Sequence, residues 1–246
     1  HIENINMEEV KAFFDTYYAP SNAILVIAGN INLSEAQRLC AKWFAPIEDR
    51  SVKKRIIPLE PKQTQGRHID LTAQVPQNAI YKAYHMPGRA SIQYQANDLL
   101  SDILGRGKSS LLHQRGVKKS QVFSSLSSYV TGSIDPGLMI ISGRLNENIT
   151  FEKAEKTLDD ALQQLKIQPT ESLKKVKNMA ASSITFGEID LLNRAMSLAY
   201  STHLGNTDLV NKEIDIIDAV TEEEISAAIH STLLESNCTT LYYHKN

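Results

Sequence analysis

The sequence predicts an α+β protein, an antiparallel sheet with helices packed on one face, preceded by a short helix-strand-helix segment. Three observations predict it. Candidate strands lie between residues 68 and 145, five helical stretches follow without a strand among them, and one terminal strand closes the chain at 237–244. Strands first, then a helix block, then a single returning strand is the order expected when helices gather on one side of a sheet.

The chain opens on a helix. Asn6 with Glu9 is a cap pair, and Val10, Phe13, Phe14 and Tyr17 recur behind it at helical spacing. Pro20 ends that helix, because proline disfavours the helical conformation in the residue before it. Residues 23–29 form a continuous apolar run, read as a strand covered on both faces. Ser34 with Gln37 is a second capping box, opening a helix through Leu39, Cys40, Trp43 and Phe44. Three elements are too few for an independent core. Alone they expose apolar surface and a sheet edge, so association or disorder is expected there.

From Pro46 to Gln65 the periodicity is lost. Pro46, Pro58 and Pro61 punctuate a charged stretch, Glu48 to Arg55, and predict an extended linker over 46–65. The larger region runs from 66 to 246. His68–Ala73 and Ala79–His85 alternate and read as strands. A helix is expected over 92–104, then a tight Gly-Arg-Gly-Lys loop at 105–108 and another helix from Ser109. Phe123–Thr131 and Leu138–Leu145 form a strand pair around a Gly-Ser-Ile-Asp-Pro-Gly turn. Helices follow at 151–166, 170–186, 189–204, 208–217 and 222–233, bounded by Pro169, Gly187, Gly205 and Thr221.

Composition excludes several function classes. A net charge of −2 from 26 basic and 28 acidic residues, with no long run of either sign, argues against sequence-independent nucleic-acid binding. No apolar run approaches the ~20 residues of a membrane span. Cys40 and Cys238 read as small buried residues and do not fix a redox compartment; cytoplasm and periplasm both remain open. His1 begins the chain without Met or a leader pattern and just ahead of a helix cap, so a longer parent protein is expected.

The segment Phe13-Phe14-Asp15-Thr16-Tyr17-Tyr18-Ala19-Pro20-Ser21-Asn22, with the apolar run and Gly29-Asn30 after it, resembles the end of the first domain of pitrilysin/insulinase-type zinc metallopeptidases. Gly105 to Arg115 resembles the G-x-x-S-S-R-L-x-Q-x-L segment of the family's second domain, with Leu111 in place of the Arg. Tyr129–Gly137, Val176-Lys177-Asn178 and Val220-Thr221 before Glu222-Glu223-Glu224-Ile225 resemble further features in the family's order. The resemblance implies that residues 1–45 close a catalytic-type domain and 66–246 form a second, non-catalytic one. It also implies a parent that holds zinc through H-x-x-E-H and a downstream Glu, with the motif Glu activating water.

That motif is absent here, so the segment carries no catalytic residue, no metal ligand and no cofactor of its own. The family's substrate-fixing Arg and Tyr, seven residues apart, align with Val117 and Ser124, leaving no substrate-binding residue to name. The implied partners are a missing N-terminal catalytic region, a peptide substrate in the intact enzyme, and a homodimeric or heterodimeric mate. The alternative reading is a catalytically inactive scaffold subunit, of the processing-peptidase or core-protein type.

Other signals read as structural. His1, His68, His85, His113, His203, His230 and His244 are isolated, none with another four residues on. Gly105–Ser110 has the wrong spacing for a phosphate loop. Glu222–Glu224 suit the first turn of a helix, where the macrodipole favours anions.

Overall fold

A computed structural model describes residues 1–50, 52, 56–167 and 172–246. Part of the expected linker, the end of its charged stretch and the Pro169 boundary fall outside them. The chain divides into two compact units: residues 1–61 with 185–212, and residues 62–184 with 213–246.

The second unit holds a five-stranded sheet, β1 (Arg67–Ala73), β2 (Ala79–Met86), β3 (Phe123–Val130), β4 (Gly137–Leu145) and β5 (Cys238–Lys245), in the order β1-β5-β2-β4-β3. The pairings β5-β2, β2-β4 and β4-β3 are antiparallel, as expected. β1 joins parallel to β5, Arg67 opposite Thr239, so the sheet is mixed at one edge. A parallel neighbour needs a long crossover, and here nearly the whole unit lies between the two strands.

Period-two burial on β2 explains the layering. Ile80, Lys82, Tyr84 and Met86 are buried while Tyr81, Ala83 and His85 are partly exposed. The buried face meets α3 (Tyr94–Gly105), α4 (Phe151–Ile167) and α8 (Glu222–Thr232). Ile80, Leu100, Leu104, Phe123, Met139, Ile141, Leu158 and Ile229 make one continuous core between sheet and helices. Thr221 caps α8 through the Glu224 amide, and Glu224 returns to the Thr221 amide. The acidic run is therefore a capping box.

One expectation for this unit changes in detail. The helix expected from Ser109 continues as a π-helix over His113–Lys119, with the Ser120 amide donating to the Arg115 carbonyl, five residues back. Gly116 lies at its buried point, where a Cβ would strike Phe123 and Leu126. α5 (Leu173–Gly187) and α7 (Leu209–Ala219) otherwise lie close to the expected helices.

The first unit contains α1 (Met7–Tyr17), α2 (Leu33–Trp43) and α6 (Leu191–His203). The Asn6–Glu9 capping box is present at the start of α1. α2 is capped differently from expectation: the Asn32 carboxamide accepts from the Glu35 amide at 2.9 Å, and the Ser34 hydroxyl donates to the same oxygen. The expected strand at 23–29 is not formed; residues 23–28 pair with no strand among the described residues. A strand is held by its neighbours' hydrogen bonds, and apolar sequence alone does not supply them. Only Ala19 and Ser201 of this unit are buried among the described residues.

Candidate functional site

Val117 lies on the π-helix, partly buried against the core. Ser124 sits at the irregularity in β3 where pairing with β4 skips from Phe123 to Ser125. Its hydroxyl is within reach of Gln77 Oε1 at 3.4 Å and the Arg144 carbonyl at 3.3 Å. The valine side chain carries no hydrogen-bond donor, and the exposed Ser124 hydroxyl has these two acceptors within reach. In the 105–110 loop, Gly107 takes a positive φ of 79°, and the Ser110 hydroxyl donates to its carbonyl at 2.7 Å. The loop's other polar groups are engaged outside it: Arg106 donates to Asp102 and Ser183, and the Ser109 hydroxyl accepts from Lys175.

The densest polar cluster is elsewhere, in a cavity of about 660 Å³ within the second unit, lined by Arg67, Lys82, Tyr84, Glu155, Asp159 and Cys238 among others. Lys82 points inward from β2, and its side chain is only 8% exposed. α4 brings Glu155 and Asp159 to it one turn apart: Nζ donates to Glu155 Oε1 at 2.6 Å and lies 3.7 Å from Asp159 Oδ1. The Tyr242 hydroxyl donates to the other Glu155 oxygen at 2.5 Å. Burial draws the ammonium's pKa down, but the Glu155 hydrogen bond and the Asp159 charge outweigh it, leaving Lys82 above the ordinary lysine value. Burial raises Glu155, yet the bonds from Lys82 and Tyr242 hold it below the usual range. Asp159, further from the ammonium and beside Glu155, is raised, mainly by desolvation.

These directions decide the chemistry. An ammonium held charged is not a nucleophile, and a carboxylate spent on two donors is a poor base. Burial raises both Tyr84 and Tyr242, which stay protonated. The cluster is a set of fixed, mutually satisfied charges. Among the described residues, no group of three His, Cys, Asp or Glu side chains is placed to hold a metal. His68 and His244, 176 positions apart in sequence, do meet, on opposite sides of the Asp70 carboxylate.

A second charged cluster lines α3. Asp98 and Asp102 are one turn apart, Arg106 donates to Asp102 at 2.8 Å and to Ser183 at 3.1 Å, and Arg89 lies 3.7 Å from Glu213. Desolvation, with the charge of Asp102, raises the Asp98 pKa to about 6. A carboxyl raised on folding favours the folded state when protonated, so its contribution is full below about pH 4 and is lost as pH rises through about 6. Asp98→Asn is therefore expected to stabilise the protein by about 2 kcal/mol at pH 7.5 and to change little at pH 4. Urea unfolding at the two pH values measures it; an equal effect at both would refute the assignment.

The first unit presents a different kind of surface. Phe13 and Phe14 of α1, Ile24, Leu25 and Ile27 of the unpaired run, and Trp43 at the end of α2 are 43–63% exposed. Leu192 and Met196 of α6 are 70% and 62% exposed. Exposed apolar surface of this kind is what contacts with another protein or chain segment bury.

Lys82 and Glu155 were not singled out from the sequence. The available signal was a lysine at the inward phase of an alternating strand, between Ile80 and Tyr84, which requires an acidic partner. The partner lies 73 residues on, and spacing along the chain does not reveal it.

Residues 4–179 match the family model described as the peptidase M16 inactive domain. The zinc protease PqqE of Helicobacter pylori is 29% identical over 172 residues, covering 67% of this chain and 38% of that protein. A crystal structure of a protease from Helicobacter pylori superposes with a TM-score of 0.90 at 23% identity, over 99% of this chain and 60% of the other. The peptidase M16 inactive domain from Pseudomonas fluorescens gives 0.84 at 18% identity, over 99% and 58%. The chain thus spans 38–60% of the length of these three proteins.

Proposed function

The chain belongs to the M16 peptidase family, whose inactive domain it carries, and from that premise we propose that it is the non-catalytic, substrate-enclosing part of a longer zinc-dependent metalloendopeptidase. Residues 1–45 close the catalytic-type domain of that protein, 46–65 link it onward, and 66–246 form the wall opposite the catalytic centre. The observation that supports this reading most is the first unit. Its helices α1 and α2 and the apolar 23–28 run bury only Ala19, so they require a covering that the described residues do not supply. The rest of a catalytic-type domain fits that requirement, since residues 23–28 lack only neighbours to become a strand.

Zinc in this reading belongs to the rest of the longer protein. The donor sets described here do not fit it, and no step is assigned to them. This chain encloses an extended peptide and offers a surface to a homodimeric or heterodimeric mate. Val117 and Ser124 in the family's Arg and Tyr positions are compatible with a mate that supplies that pair.

The test is made on the longer protein and on this chain in parallel. Elemental analysis of the longer protein is expected to find one zinc per chain, with cleavage of a quenched peptide library that a chelator abolishes. The chain alone is expected to show neither. A longer protein without zinc and without cleavage, with or without a co-expressed mate, would establish the inactive scaffold instead.

A further inference from the structure

β1 is an edge strand, and among the described residues its only hydrogen-bonded neighbour strand is β5. Its entry is pinned independently of pH. Gln63 is buried, its amide donates to the carbonyls of Gln65 and Cys238 at 3.0 and 2.9 Å, and it accepts from the Thr239 hydroxyl at 3.2 Å. The middle of the strand is tied differently. Asp70 places one carboxylate oxygen 3.0 Å from His68 Nε2 on its own strand and the other 2.7 Å from His244 Nε2 on β5. Both imidazoles are backed by aromatic rings. His68 meets Tyr242 edge-on at 4.3 Å, and Phe151 at the start of α4 lies 4.6 Å from His244 and stacks on Tyr242 at 4.4 Å.

We infer that His68, Asp70 and His244 form a proton-operated clasp, fastening the edge strand β1 to β5 more firmly in mild acid than at alkaline pH. The His244 hydrogen bond, helped by His68, holds Asp70 below the ordinary carboxylate range, so the carboxylate stays ionised in mild acid. Neutral imidazoles donate ordinary hydrogen bonds to it. Protonated ones turn both contacts into charge-assisted bonds, which are shorter and stronger. The other charges nearby are Glu152 and Glu155 of α4, Lys82 of β2, which is engaged by Glu155, and Arg67 and Lys245 on the two strands. The two glutamates reinforce attraction for imidazolium. Since the three side chains are 37–58% exposed, the effect is moderate and screened by salt.

Opening of an edge strand is read by amide hydrogen exchange. After correction for intrinsic rates, exchange of peptides covering 67–73 is expected to accelerate about threefold to tenfold more than that of β4 peptides between pH 5.5 and pH 8.0, at low salt. The excess is expected to vanish in Asp70→Asn and in the double variant His68→Gln/His244→Gln. Equal acceleration of β1 and β4 in the unaltered protein would overturn the clasp without any variant. An excess that persists in a folded Asp70→Asn protein would also overturn it.

Discussion

Gly105→Ala is expected to destabilise the second unit by about 4 kcal/mol or more, in a position where helix propensity alone predicts a gain. Gly105 is the last residue of α3, and alanine there would contribute up to ~1 kcal/mol through its higher propensity. Space decides otherwise. A Cβ at this position would fall onto the backbone amide of Ser128 in β3 and lie 2.6 Å from its Cα. The helix approaches the strand here through small residues, with Ser101 and Ser128 hydroxyls 3.3 Å apart beside the contact. Backbone cannot rotate aside as a side chain does, so α3 must lift from the sheet and take Leu100 and Leu104 with it. Gly143→Ala is the comparison. There the added methyl meets the rings and methyls of Phe123 and Leu126, which can shift, and the cost is expected at about 1–3 kcal/mol. Denaturant unfolding of both variants measures the difference; a Gly105→Ala protein as stable as Gly143→Ala would refute the close-approach account.

The second large effect is expected at Lys82. Replacing it with methionine keeps the stem and removes the cation that reaches both Glu155 and Asp159 in the cavity. Removing one member of a buried pair strands the other, typically at 3–5 kcal/mol. Because Asp159 is half exposed, the lower end applies, about 3 kcal/mol at pH 7. The double variant Lys82→Met/Glu155→Met is expected to lose less than Lys82→Met alone, since it removes the stranded charge. The pH dependence has a definite sign. Glu155 is held below its ordinary 4.5, so the pair's contribution is present above that value and is lost as pH falls past it. The variant and the unaltered protein therefore converge in acid. A Lys82→Met protein that loses less than 0.5 kcal/mol at pH 7 would show the cluster to be energetically idle.

Both effects lie at places where the sequence was only partly legible. Gly105 stands in a segment that invites comparison with phosphate loops, yet its glycine answers to a strand twenty-three residues on. Lys82 appears in sequence as one residue of an alternating strand. Its significance depends on α4 being laid across that strand with Glu155 and Asp159 facing down. The histidines show the same thing: each is isolated along the chain, and the parallel β1-β5 pairing alone places His68 and His244 on one carboxylate.

What the sequence determined by itself is local. Hydrophobic period, capping residues and breakers are properties of a few neighbouring positions, so the Asn6 and Thr221 caps, the alternation of β2, the β3-β4 pair and the succession of helices from 151 to 232 could be read directly. The resemblance to the peptidase family was legible for the same reason, because its features are short and ordered along the chain. Tertiary structure decided what depends on distant segments. It decided that β1 runs parallel to β5, that Asn32 rather than Ser34 caps α2, and that residues 23–28 stay unpaired. A strand exists only with a neighbour, and a buried charge is tolerated only with its counter-ion; neither is encoded where the strand or the charge itself lies.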